Sequence, residues 1–117
     1  MSNFNETQPI FVQIRQRIAS MILNETAREG EALPSVRSIA ADLSVNPLTV
    51  TRAYDALVDL GVVESRRGLG MYVAAGAREK LLAHERETFL SVEWPRIRAQ
   101  IAALGLDLET LLKEPGK

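Results

Sequence analysis

Ser44-Val45-Asn46-Pro47 constrains this chain more than any other stretch. It sits between two helical patterns and supplies both a tight turn and a new helix start: Asn46 suits the N-cap and Pro47 the first helical position. Upstream, Ser35 can cap a short helix of about nine residues, with Val36, Ile39, Ala40 and Leu43 facing inward. Downstream, a third helix runs from Pro47 to near Leu60, and Gly61 stands where a left-handed C-cap is wanted. A short helix, a tight turn and a further helix in this order read as a helix-turn-helix.

The flanking sequence completes the unit. Thr7 followed by Pro9 reads as a helix start after a frayed tail over residues 1–5, and Ile10, Phe11, Ile14, Ile18, Met21 and Ile22 recur at intervals of three and four. The predicted first helix ends near Leu23, and residues 24–32 read as a polar connector. After Gly61, Val62-Val63 and Met71-Tyr72-Val73 are β-prone runs separated by Arg67-Gly68-Leu69-Gly70, which predicts a β-hairpin. The expected fold is mostly α with a small β-hairpin: a winged helix-turn-helix over residues 8–76, then a helical dimerisation segment over 77–117. In that segment Pro95 should kink or break the helix. Leu90, Trp94, Ile97, Ile101 and Leu104 keep a four-three-four-three spacing suited to packing on another helix. Asp107 reads as the cap of a last short helix ending near Glu114, with Leu106 and Leu111 as its hydrophobic staple.

Composition excludes several classes of function. The chain has 117 residues and no cysteine, so it has no disulfide, thiolate metal site or cysteine nucleophile; a single histidine, His84, leaves no histidine triad or multi-histidine metal centre. His84, Glu85 and Glu87 point apart on a helix and read as a solvated face, so no metal or cofactor is expected. Neither a signal peptide nor a membrane span is visible, and a cytoplasmic protein with no membrane partner is expected. Fourteen Lys+Arg against fifteen Asp+Glu give a net charge of −1, too little cationic excess to coat nucleic acid by bulk electrostatics. Site-specific binding needs only a local cationic face.

Such a face emerges from the predicted helices. Val50, Ala53, Leu57 and Leu60 take the inner side of the third helix, with Tyr54 at its edge, leaving Leu48, Thr51, Arg52 and Asp55 outward, flanked by Pro47 and Thr49. Arg52 can pair with guanine O6 and N7, and Leu48 or a threonine methyl can meet a thymine methyl. Asn46 and Thr49 suit phosphate, as does Arg37 on the second helix. Arg66, Arg67, Gly68 and Gly70 lie at the hairpin tip, where arginines follow the backbone or enter a minor groove. Each has a plainer reading. Arg52 could be a solvated charge paired to Asp55 or Asp59, Leu48 a core residue, Ser35 and Asn46 simple caps, and the tip an exposed turn.

Taken together, Pro9-Ile10-Phe11-Val12-Gln13-Ile14, Leu33-Pro34-Ser35-Val36-Arg37, residues 45–54 with their Asn-Pro-x-Thr-Val-x-Arg-Ala-Tyr pattern, and Arg67-Gly68-Leu69-Gly70-Met71-Tyr72-Val73 resemble the GntR family of bacterial transcription regulators. The short helical C-terminus resembles its YtrA subfamily. The resemblance implies small dimeric regulators, often associated with transporter operons, and matches Arg37 and Arg52 to motif arginines and Gly68 and Gly70 to the wing glycines. Other branches carry arginine where this chain has Pro47 or Thr51, so their base preferences do not transfer. The expectation is a sequence-specific repressor that binds a pseudo-palindromic double-stranded DNA operator as a homodimer. Phe89, Leu90, Trp94, Ile97, Ile101 and Leu104 would form its seam. An unidentified small-molecule effector could bind at the seam or between the two segments, and no residue nominates it. The alternative is a winged-helix protein–protein interaction module; an enzyme is not expected, for want of a convergent constellation.

Overall fold

The computed structural model describes residues 8–113. Thr7 and the tail, read as a helix start and frayed residues, and the helix end near Glu114 lie outside them. The elements are α1 (Ile10–Leu23), α2 (Val36–Leu43), α3 (Pro47–Asp59), β1 (Val63–Arg66), β2 (Gly70–Val73), α4 (Ala77–Thr88), a π-helical turn (Phe89–Glu93), α5 (Trp94–Ala103) and α6 (Leu108–Lys113).

By internal contact the chain divides into two units, the first ending at Leu82 and the second beginning at Ala83. In the first, one core gathers Ile14, Ile18 and Ile22 from α1, Ile39 and Ala40 from α2, and Val50, Ala53, Tyr54 and Leu57 from α3. Val62, Val63 and Val73 add the root of the hairpin, and Ala77 and Leu81 of α4 are buried with them. Each large aliphatic side chain so buried contributes about 1.5–3 kcal/mol. The core therefore fixes the crossing of α1, α2 and α3 and leaves the outer face of α3 to other uses.

The turn between α2 and α3 is tight because Ser44 takes the left-handed conformation, φ 54° and ψ 47°, while its neighbour Val45 donates from its N–H to the Ala40 carbonyl. Asn46 then caps α3, its side-chain oxygen accepting from the Leu48 N–H at 2.9 Å, with Pro47 in the first turn.

The hairpin pairs Val63 with Val73, Glu64 with Tyr72, Ser65 with Met71 and Arg66 with Gly70. The end of the connector does more than link helices. Gly30 N–H donates to the Val73 carbonyl and Leu33 N–H to that of Met71, and Ala32 bridges Tyr72, so the connector lies along the outer edge of β2. A polar, glycine-containing sequence hides this role because the pairing uses backbone groups alone.

In the second unit the expected disturbance at Pro95 takes the form of a widened turn. Trp94 N–H donates to the Phe89 carbonyl, five residues back. Proline lacks an N–H and crowds the carbonyl four residues before it; a π turn just upstream accommodates both without ending the helix. α6 opens as read, with the Asp107 carboxylate accepting from the N–H and the hydroxyl of Thr110 at 3.2 and 2.9 Å. Among the described residues, no helix is long and apolar enough to cross a membrane.

Candidate nucleic-acid interface

α2 enters under tight control. The Ser35 hydroxyl accepts from the Ser38 N–H at 3.0 Å, satisfying one of the free donors of the first turn. One residue earlier, the Pro34 carbonyl accepts from the Tyr54 hydroxyl, reaching across from α3. Tyr54 is fully buried, and burial pushes its phenol well above the ordinary range. The start of α2 is thereby tied to the middle of α3, which sets where Arg37 stands relative to that helix. Arg37 is exposed, with no partner among the described residues.

The first half of α3 presents a mixed surface. Leu48 is 70% exposed, which excludes it from the core. Thr49 is half-buried. The Thr51 hydroxyl donates back to the Pro47 carbonyl at 3.2 Å, leaving its methyl to define the contact. Arg52 is exposed and pairs with neither Asp55 nor Asp59; its guanidinium instead lies over the ring of Phe11, 4.3 Å from the centroid. A planar guanidinium stacked through its face keeps its N–H donors at the rim.

The wing separates the two arginines at its tip. Arg66 is engaged within the hairpin through one edge: its Nε donates to Glu64 at 2.8 Å and its guanidinium lies 4.1 Å from the Tyr72 ring centroid, with no hydrogen bond from its terminal N–H groups among the described residues. Arg67 is exposed with no partner among the described residues. Arg67-Gly68-Leu69 forms the loop, closed by the Leu69 N–H donating to the Arg66 carbonyl, and positive φ at Gly68 (77°) and Gly70 (114°) requires glycine at both. Leu69 is 70% exposed.

The family profile described as bacterial regulatory proteins, gntR family, matches residues 11–73, which span α1 through β2. The chain belongs to the gntR family. It is a DNA-binding transcription regulator. It is 33% identical to the HTH-type transcriptional regulator YhcF of Bacillus subtilis over 96% of this chain and 91% of that one. It is 32% identical to the HTH-type transcriptional repressor YtrA of the same organism, over 88% and 78%. A GntR family transcriptional regulator from Listeria monocytogenes superposes with a TM-score of 0.75 at 29% identity, covering 93% of this chain and 94% of that chain.

For this gntR-family chain the second unit presents an exposed apolar surface. The π turn stacks Phe89 on Trp94, ring centroids 6.5 Å apart. Leu90 and Leu104 are each 64% exposed, and Ile97 and Ile101 are half-buried. Val92 and Leu112, absent from the sequence reading of the seam, are also exposed. Among the described residues no three His, Cys, Asp or Glu side chains gather to hold a metal. Two site features escaped the sequence reading. Tyr54 looked like an edge residue of the core, and its bond to Pro34 spans twenty positions. Phe11 looked like one more member of an apolar stripe.

Proposed function

We propose that the protein is a homodimeric repressor that places the first half of α3 in the major groove of a pseudo-palindromic operator. The observation that carries this reading is the make-up of that half-helix: a satisfied cap at Asn46, an apolar Leu48 left 70% exposed, and Arg52 without an acidic partner among the described residues. Leu48 and the Thr51 methyl suit thymine, and Arg52 suits guanine. Arg37 and Arg67 hold phosphate on either side, with Ser35, Asn46, Pro47 and Thr49 lining the approach and Gly68 and Gly70 letting the wing come close. Arg66 acts within the wing, steadying it through Glu64 and Tyr72.

Dimerisation rests on the exposed apolar surface of the second unit, whose leucines and aromatics are more than an isolated helix keeps in water. Two winged units on one frame bind at high effective concentration, and two-fold symmetry sets half-sites about 10 bp apart. Repression, by occupying a promoter in the cytoplasm, follows the similarity to a relative named as a repressor. A cleft of about 380 Å³ lined by Ile22, Ala27, Arg28, Glu29 and Arg78 is where a small effector would reach the winged unit. Arg52→Ala tests the reading: in a gel shift on a duplex selected by the wild-type protein, affinity should fall by about 1–3 kcal/mol. Unchanged affinity would favour a protein-binding module instead.

A further inference from the structure

Arg52 and Arg66 are both stacked on aromatic rings, yet they end differently. Arg66 surrenders its Nε to Glu64, whereas Arg52 shows no acidic or carbonyl acceptor among the described residues. Arg52 therefore has its face held and its donors unspent. The ring that holds it comes from another element: Phe11 lies in the first turn of α1, half-buried and packed on the core, so its position is set by the fold rather than by the arginine. A free arginine side chain loses rotamer entropy when it is fixed against a base. A guanidinium already lying on a ring has lost part of that freedom before DNA arrives.

We infer that Phe11 is a positioning residue for base recognition: its ring pre-sets the plane of Arg52 so that the guanidinium meets a guanine edge in register. This rests on the assignment of α3 to the major groove. The stack supplies orientation and Arg52 supplies the hydrogen bonds, so Phe11 touches no base itself. Removing the ring should then weaken specific binding while leaving the phosphate contacts, and hence non-specific binding, as they were.

The experiment uses the full chain and a duplex enriched by the wild-type protein from a random-sequence library, with a scrambled duplex of equal composition as control. Dissociation constants are measured for wild type, Phe11→Leu, Phe11→Tyr, Arg52→Ala and the double variant Phe11→Leu/Arg52→Ala. Phe11→Leu should weaken the enriched duplex about 2–5-fold and leave the scrambled one unchanged. Phe11→Tyr, which keeps the ring, should bind like wild type, and unchanged binding of the scrambled duplex by the leucine variant tells loss of the stack apart from loss of the fold. With Arg52→Ala already present, Phe11→Leu should add nothing. The proposal is overturned if Phe11→Leu binds like wild type, if its loss persists undiminished without Arg52, or if the scrambled duplex loses equally. Should Arg52→Ala alone leave the enriched duplex untouched, the base-reading role of α3 falls first and the positioning role with it.

Discussion

At Ser44 the backbone takes φ 54° without the help of a glycine, at the point where α2 must turn into α3. A residue with a Cβ is strained there, so Ser44→Gly should raise stability by about 0.5–1 kcal/mol, less the entropy that glycine restores to the unfolded chain. Urea unfolding measures this directly, and a fall in midpoint would contradict it. Tyr54 links stability to alkaline pH. Its phenol is held above the ordinary value of about 10 by burial, so the folded state keeps the proton more firmly than the unfolded state. The associated stability is fully present below pH ~10 and is lost as pH climbs beyond it. Tyr54→Phe should cost about 1–3 kcal/mol at neutral pH by orphaning the Pro34 carbonyl, and should flatten the alkaline decline seen in thermal melts of the wild type. The Asn46 and Ser35 caps were legible in the sequence because capping is local. The Tyr54 and Phe11 contacts were not, since each depends on which helices cross.

Elements repeat that contrast. Helix periodicity located α1, α2 and α3 and the inward faces that form the core. The hairpin followed from β-prone runs around glycines whose positive φ the structure then required. The edge added by residues 30–33 left no side-chain signature. Pro95 signalled a disturbance, but a proline alone does not say whether a helix kinks, ends or widens. The π turn settles it and gives Phe89 a place under Trp94 that uniform α spacing assigned to Leu90. Pro95→Ala returns an N–H to this region and removes the reason for the wide turn. Emission from Trp94, the only tryptophan in the chain, should therefore shift as the Phe89 stack is lost. An unchanged spectrum would mean that the aromatic pair, rather than the proline, maintains the turn.

In the proposed whole molecule, the winged unit would meet DNA and the helical unit would pair copies. The winged unit carries its own core through Leu82, so a chain ending there should fold, sediment as a monomer, and bind an operator at least tenfold more weakly than the full-length protein through lost bivalency. A truncated chain that still sedimented as a dimer would move the interface into the winged unit. A titration of the isotope-labelled protein with its selected duplex, followed through backbone amide resonances, locates the DNA-facing surface residue by residue. The largest shifts should fall at residues 35–37, 46–52 and 66–70. Shifts concentrated on the cleft around Ala27 and Arg78, with those three stretches unmoved, would contradict this assignment.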